Sequence, residues 1–211
     1  MAHFNEAAPA YRPVLRRMKE EIRHFLNRTS VYSEEHWCRV VMNRETMNLI
    51  NALDVSRLDA LEVSGTRWST APFRSYRSVS YPEFDLCDPP AGVAADMILA
   101  EQVFEHLLWP YRAGRAAYGM LRPRGYLFIT TPFLIRIHDA PVDCCRWTET
   151  GIRYFLAECG FPLENIQTAS WGNRKCVVAN LRQWARYKKW VHSIENEADF
   201  PMVVWALAQK P

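Results

Sequence analysis

The stretch Asp96–Thr131, DMILAEQVFEHLLWPYRAGRAAYGMLRPRGYLFITT, contains the pattern that decides the fold. Its two apolar runs, 97–100 and 125–131, are continuous rather than alternating, which is typical of strands buried on both faces of a parallel sheet. Between them lies a helix-length segment that starts at Pro110 and stops before Pro123. A strand, a helix and a strand in this order predict a right-handed crossover within an α/β sheet.

The segments on either side extend the pattern toward both ends of the chain. Helices are predicted over 11–28, 44–53 and 149–158, with Thr148 as N-cap and Gly160 as the end of the last one. Further strands are predicted at 59–63, 76–81, 165–170 and 202–208, and the long piece 173–193 reads as a helix inserted between the last two. We therefore expect an α/β fold with a doubly wound, mostly parallel, Rossmann-like sheet, an antiparallel C-terminal edge and an N-terminal helical arm.

Composition places the chain among ordinary globular proteins. Of its 211 residues, 49% are hydrophobic and 23% charged, and the net charge of +3 gives no strong case for nucleic acid as a partner. The N-terminal residues lack the apolar region of a secretory signal, and no apolar run approaches the roughly 20 residues that a membrane span needs. The six cysteines form no C-x-x-C pair. We expect free thiols in a reducing, cytoplasmic setting.

Polar residues collect where the predicted strands end. Ligands of open α/β sheets bind at these carboxyl ends. Acids, hydroxyls and amides in such places suit a polar, cationic or hydroxyl-bearing ligand. The residues concerned are Glu62, Ser64, Gly65, Thr66, Tyr81, Glu83, Asp85, Glu101, Gln102, Thr130 and Thr131.

The order of these segments resembles the class I S-adenosylmethionine-dependent methyltransferases, in particular the small bacterial group with an E-H pair after the fourth strand. The similar segments are ALEVSG, EFDLCDPP, DMILAEQVFEHLLWP, MLRPRGYLFITTPF and HDAPVDCCRWTETGIRYFLAECGF, which together span about residues 58–161. The resemblance implies a methyltransferase that uses S-adenosylmethionine as cofactor. Without repeats or a low-complexity linker, the chain is expected to form one domain with a helical arm (1–57), a cofactor-binding core (58–171) and a helical insert with the last strand (172–211).

The first motif departs from the pattern of this family. Three glycines normally follow its acid at alternate positions, but Ser64, Thr66 and Trp68 stand there, and Gly65 lies out of frame. Glycine lets a ligand approach the backbone closely. The cofactor loop of this chain must therefore have a different local geometry.

The resemblance assigns cofactor roles to individual residues. Glu62 is expected to hold the methionine ammonium group, and the backbone of Ser64, Gly65 and Thr66 to line its path. Asp85, with Asp88 as a second choice, corresponds to the acid that binds the adenine amino group, and Glu101 and Gln102 correspond to the place of the sulfonium. Glu83, beside Tyr81, is either the acid that binds the ribose hydroxyls or a solvated loop carboxylate.

Two histidines are candidate catalytic residues. Methyl transfer to a hydroxyl or amine needs alignment and, in some cases, a base, which suits histidine near its usual pKa. His106 follows the fourth strand, and His138 follows the fifth with Asp143 close by in sequence. We prefer His138 as the base, because a loop over the cleft is where an acceptor enters. His106 is the alternative, and each of the two could instead have a purely positioning role.

A metal is the less favoured interpretation of the same region. Some relatives bind a divalent ion through Glu-x-x-Glu-His after the fourth strand, and here Gln102 replaces the first acid of Gln102-x-x-Glu105-His106. An amide oxygen is a poor substitute for a carboxylate ligand. We therefore predict metal-free transfer.

The late part of the chain is expected to contact the acceptor. Trp171, Asn173 and Arg174 form a polar turn at a strand end, and with Asp143 they are predicted to bind a small-molecule or sugar acceptor that is methylated on oxygen in a biosynthetic pathway. The basic and aromatic run 182–190 could contact nucleic acid or headgroups, but is more typical of a solvated face. The degraded glycine loop leaves open a binding or scaffold protein that has lost the cofactor. The oligomeric state is not fixed by the sequence.

Overall fold

The computed structural model describes residues 32–139 and 141–211 of the chain. Its strands are β1 (Tyr32–His36), β2 (Asp59–Val63), β3 (Ser75–Val79), β4 (Ala95–Glu101), β5 (Leu121–Pro132), β6 (Ile166–Trp171), β7 (Arg186–Lys188) and β8 (Val203–Gln209). Its α-helices are α1 (Trp37–Asn51), α2 (Pro110–Met120), α3 (Glu149–Glu158) and α4 (Arg174–Asn180).

Six of the strands form one sheet in the order β3-β2-β4-β5-β8-β6, and β1 pairs with β7 in a separate two-stranded sheet. Strands β3, β2, β4 and β5 are parallel, whereas β8 runs antiparallel to both of its neighbours, β5 and β6. The prediction of a doubly wound, mostly parallel sheet with an antiparallel C-terminal edge is therefore confirmed. The last strand of the sequence, β8, lies between β5 and β6, and β6 is the edge strand of the sheet.

Apolar side chains on both faces of the sheet explain why its central strands are continuously hydrophobic. Successive residues of a strand point to opposite faces. Ile98 and Ala100 of β4 pack under α2 and α3, while Met97 and Leu99 pack under α1 on the other face. Because helices cover both faces, neither set of residues can be polar.

Several predicted helix boundaries are confirmed and others are wrong. Helix α3 spans the predicted residues, Thr148 Oγ1 accepts a hydrogen bond from the Gly151 amide at 3.0 Å, and Gly160 follows the helix with φ at 117°. The helix predicted over 44–53 begins earlier, as α1, because Trp37, Val41 and Met42 pack in the core. The helix predicted over 11–28 lies outside the described residues.

The helix predicted over 173–193 is the largest error. Only α4 is helical, and β7 follows it. The Asn180 side chain donates to the Cys176 carbonyl at 2.8 Å and accepts from the Ala185 amide at 3.0 Å, which redirects the chain after α4. Trp184 and Tyr187 then pack against the core, whereas Trp190 remains 78% exposed. Across the described ranges, every helix is too short or too polar to cross a bilayer.

Candidate functional site

The candidate site follows the edge at which β2, β4 and β5 end. Immediately after their strands, Ser64 and Gln102 adopt left-handed backbone conformations, with φ of 58° and 57°. The Ser64 amide donates to the Val79 carbonyl at 2.7 Å and the Gln102 amide to the Thr130 carbonyl at 2.9 Å. Non-glycine residues rarely adopt this conformation, which is enriched at functional sites. The chain thus turns sharply at the place where a ligand is expected.

Glu62, at the end of β2, is buried and uses both carboxylate oxygens within the protein. Oε1 accepts the Arg67 amide at 3.0 Å, and Oε2 accepts the Trp68 amide at 3.0 Å and the Tyr76 hydroxyl at 2.6 Å. A Cβ atom on residue 65 would lie 2.6 Å from Oε1, so Gly65 is required for this carboxylate to reach the loop. In this conformation Glu62 shapes the 64–68 loop and offers no free oxygen.

Glu101, at the end of β4, is paired with the same loop. Arg67 Nη1 lies 2.6 Å from Glu101 Oε1, and the Trp68 indole N–H donates to Glu101 Oε2 at 3.1 Å. Trp68 is 1% exposed and contacts the Phe128 ring edge to face, with centroids 5.8 Å apart. The Arg67 guanidinium and the Trp68 indole are therefore bound to the Glu101 carboxylate, at the place that the resemblance assigned to the sulfonium of the cofactor.

The other residues predicted to bind the cofactor differ in their exposure and in the hydrogen bonds that they already make. Ser64, Thr66, Tyr81 and Glu83 are exposed at the loops after β2 and β3. Asp85 is half-buried and accepts the Cys87 amide at 2.8 Å, which holds its own turn. Gln102 donates to Thr130 Oγ1 at 3.0 Å.

The two candidate catalytic histidines lie next to each other. His106 belongs to a 3-10 turn after β4 (Phe104–His106) and His138 to the loop after β5, and their rings meet edge to face with centroids 5.0 Å apart. His106 Nδ1 lies 2.5 Å from the Val142 carbonyl. A carbonyl only accepts, so Nδ1 carries the proton, and in the neutral imidazole Nε2 has a free lone pair.

Glu105 completes the cluster and was not among the predicted site residues. It is 1% exposed, and neither carboxylate oxygen has a hydrogen-bond partner. His106 Nε2 lies 3.7 Å from Glu105 Oε1. Burial raises the pKa of Glu105 to about 7, an effect that its own backbone amide and the charges of Arg146 and Arg39 partly oppose. A buried carboxylate whose oxygens lack close hydrogen-bond partners costs free energy, which favours the approach of a proton or a cation.

Asp143 positions His138. Its carboxylate accepts the His138 amide at 2.9 Å and binds the Arg146 guanidinium through both oxygens. Burial opposes ionisation of Asp143, but the hydrogen bonds from Arg146 and His138 lower its pKa overall. Burial also lowers the pKa of His138, an effect that the charge of Asp143 partly opposes, so the neutral imidazole is favoured.

The three residues predicted to bind the acceptor at the end of β6 are not equally accessible. Trp171 is 2% exposed and donates to the Ile194 carbonyl at 3.0 Å. Asn173 is 3% exposed, caps α4 by accepting the Cys176 amide at 2.8 Å, and donates to two carbonyls of the 193–195 segment. Arg174 is exposed, with its guanidinium 4.9 Å from the Phe200 ring centroid and 3.8 Å from Glu197.

Trp184, which the sequence interpretation assigned to the basic and aromatic run 182–190 and not to the site, also lies in this region. Its ring contacts His138 with centroids 5.9 Å apart and His36 with centroids 5.7 Å apart. The Arg136 guanidinium lies over the same ring, 5.2 Å from its centroid. Because β7 and β1 pair only in the folded chain, no local sequence pattern could have indicated this contact.

Solved structures share the architecture described above. A methyltransferase from Thermotoga maritima, described as a possible histamine N-methyltransferase, matches with a TM-score of 0.52 and 11% identity over 92% of this chain and 97% of that chain. An Archaeoglobus fulgidus S-adenosylmethionine-dependent methyltransferase matches with a TM-score of 0.52 and 11% identity, over 82% and 94% of the two chains. A putative methyltransferase from Haloferax volcanii, solved in complex with the methyltransferase activator Trm112, matches with a TM-score of 0.50 and 12% identity. This match covers 83% of this chain and 94% of that chain.

These matches define the class of fold. The chain has the fold of the class I S-adenosylmethionine-dependent methyltransferases, as the order of its segments predicted. Neither a protein-family model nor a curated protein sequence matches it. At such low identity the likeness concerns the fold, and the chemistry must be argued from the residues of this chain.

Proposed function

We propose that this protein transfers a methyl group from S-adenosylmethionine to an oxygen of a compact acceptor, a small molecule or a sugar, in a biosynthetic pathway. The observation that carries the proposal is the meeting of His106 and His138 beside the unpartnered carboxylate of Glu105. These residues come from two different strand ends, at the edge where this fold class binds its ligands.

The exposed loop residues fit the nucleoside part of the cofactor. Hydroxyl and acid groups of Ser64, Thr66, Tyr81 and Glu83 are free to accept or donate hydrogen bonds. The amino-acid part fits less well, since both Glu62 oxygens already accept hydrogen bonds from the protein and Arg67 is paired with Glu101. For the nucleoside and amino-acid parts of the cofactor to bind at the same time, Arg67 must move away from Glu101.

The catalytic work of the chain lies in aligning and activating the acceptor hydroxyl. When bound, S-adenosylmethionine supplies the electrophilic methyl, whose bond to sulfur breaks as the bond to oxygen forms. His138 accepts the hydroxyl proton at a neutral ring nitrogen, and Asp143 holds its loop in place. His106 is oriented by the Val142 carbonyl and faces the same space.

Binding and transfer experiments test this proposal together. We expect S-adenosylmethionine to bind the wild-type protein in isothermal titration and Glu83→Ala to weaken this binding, whereas Glu158→Ala, at an exposed position of α3, leaves it unchanged. His138→Gln should lower methyl transfer to a panel of hydroxyl compounds with an unchanged cofactor Kd. Loss of cofactor binding in His138→Gln, or full activity, contradicts the assigned role.

A second candidate is a binding or scaffold protein that retains the fold without the cofactor. The pairing of Arg67 and Trp68 with Glu101 favours it, because these side chains fill the place of the sulfonium. Absence of both heat and thermal shift on titration of the wild-type protein with S-adenosylmethionine supports this candidate and refutes the first.

A further inference from the structure

The Glu105–His106–His138 cluster has the composition and spacing of a metal site. One donor atom from each of the three side chains lies within 4.8 Å of the other two. Donors bound to one ion at about 2.0–2.2 Å in tetrahedral geometry lie about 3.3–3.6 Å from one another. A contraction of up to about 1.5 Å between donor atoms, within the reach of side-chain rotation, therefore brings all three onto a common ion.

We propose that these three residues bind a divalent first-row transition-metal ion of the Zn²⁺ or Fe²⁺ type. The strongest evidence is Glu105, whose two buried oxygens have no hydrogen-bond partner although the residue is 1% exposed. Buried charges are paired or coordinate metals, since an isolated one is costly. No other buried carboxylate oxygen of the described residues lacks a partner in this way.

The surroundings of the histidines fit the same role. In metal-binding histidines the N–H of the second ring nitrogen usually donates a hydrogen bond to a carbonyl or carboxylate, which fixes the ring orientation. The Val142 carbonyl holds His106 Nδ1 in this manner and leaves Nε2 toward Glu105. Asp143 fixes the backbone of His138 and is itself held by Arg146.

The loop that carries these supports is tied back to the glutamate. The Glu105 carbonyl accepts the amides of Cys144 and Cys145 at 2.7 and 3.2 Å. The loop after β5 is therefore joined to the turn after β4 directly beside the cluster. A ligand set so held loses little conformational freedom when an ion binds.

The ligand types select the class of ion. Two imidazoles and one carboxylate suit Zn²⁺, Fe²⁺ and Co²⁺, whereas Mg²⁺ and Ca²⁺ prefer sets made of oxygen. Three protein ligands leave a coordination position open, which is characteristic of catalytic rather than structural sites. The sequence interpretation tested residue 102 as the third ligand and therefore predicted no metal, whereas the structure brings in His138 from the next strand end.

This inference rests on the proposed function for the identity of the acceptor and changes one step of it. A bound cation lowers the pKa of a hydroxyl that binds beside it. The hydroxyl proton then leaves to water, and the ion takes over the activating role from a free imidazole of His138. The same site would favour acceptors with an ionisable hydroxyl.

Titration of tag-free protein, first treated with a chelator, tests the site. We expect Co²⁺ to produce its visible absorption bands with one equivalent bound, Zn²⁺ to displace it, and Mg²⁺ to leave the spectrum unchanged. Glu105→Gln and His138→Gln should each weaken binding at least tenfold, and Asp143→Asn roughly 10–100-fold as a supporting residue. The exposed Glu158→Gln serves as the matched control.

The outcomes separate this inference from the proposed function. Absence of the Co²⁺ spectrum, or equal binding by His138→Gln when circular dichroism shows it folded, overturns the metal site. Methyl transfer that persists in chelator also overturns the role of the ion but leaves the proposed function intact. Metal binding by a protein that fails to bind S-adenosylmethionine supports the site and refutes the methyltransferase.

Discussion

The indole N–H of Trp68 donates a hydrogen bond to the carboxylate of Glu101, 3.1 Å away, and this contact joins the loop after β2 to the end of β4. Arg67 neutralises the same carboxylate from the neighbouring position. The two adjacent residues thus form a latch across the edge of the sheet. Their state decides whether Glu101 is available to a ligand.

Arg67→Ala should raise the affinity for S-adenosylmethionine about tenfold, equivalent to about 1.4 kcal/mol. The reason is that the guanidinium at 2.6 Å competes with any cationic ligand for Glu101. Isothermal titration measures the effect. Arg77→Ala, an exposed change on β3, should leave the affinity unaltered. A weaker affinity in Arg67→Ala would show that the arginine belongs to the ligand site instead.

Glu62→Gln should lower the free energy of unfolding by about 2–3 kcal/mol. Three donors converge on the Glu62 carboxylate, and an amide places its own N–H₂ group against at least one of them. Urea denaturation measures the change. Glu83→Gln is exposed and should remain within about 0.5 kcal/mol of wild type. A neutral Glu62→Gln would remove the structural role given to this residue.

Tyr76 should make stability fall at alkaline pH. Burial and the hydrogen bond to Glu62 raise the pKa of Tyr76 to about 12. Because the folded pKa lies above the unfolded value of about 10, the contribution is complete below pH 10 and is lost as pH rises toward 12. Thermal unfolding of wild type and Tyr76→Phe across this range isolates the effect from the titration of cysteines.

The expected result is a stability difference between the two proteins that narrows as pH rises. At neutral pH, Tyr76→Phe should be less stable by about 1–2 kcal/mol, since a hydrogen bond to a charged group is lost. A constant difference up to pH 12 would mean that Tyr76 titrates alike in the folded and unfolded states.

Arg174→Ala should raise the KM for the acceptor more than the Kd for S-adenosylmethionine. Arg174 is the exposed member of the turn after β6, with its guanidinium stacked over Phe200. Steady-state kinetics and titration distinguish the two constants, and the reverse pattern would refute acceptor binding.

Asn173→Ala, by contrast, should lower the free energy of unfolding by about 1–2 kcal/mol because the α4 cap is lost.

Local patterns were sufficient to predict most of the sheet. The crossover from β4 through α2 to β5 follows from continuous apolar runs and from prolines near the helix ends, and α3 follows from its cap and terminal glycine. These signals act over a few residues and need no knowledge of partners. Local patterns also predicted strands β6 and β8, but they did not predict that β8 lies between β5 and β6.

The site was only partly predictable, because its geometry depends on contacts between distant segments. His106 and His138 were identified singly from their places after strands, but their meeting at Glu105 requires the register of β4 beside β5. The resemblance identified Glu62 and Glu101 as cofactor acids. Their pairing with the loop through Arg67 and Trp68 depends on packing against Phe128, which no spacing rule reveals.

The place of β8 within the sheet has a consequence for how the chain folds. Strand β6 precedes β8 in sequence but hydrogen-bonds only to β8 among the described strands. During synthesis, β6 must therefore wait without a partner until residues 203–209 have emerged and inserted beside β5. Such late, non-local closure slows folding and prolongs the exposure of unpaired strands to other nascent chains.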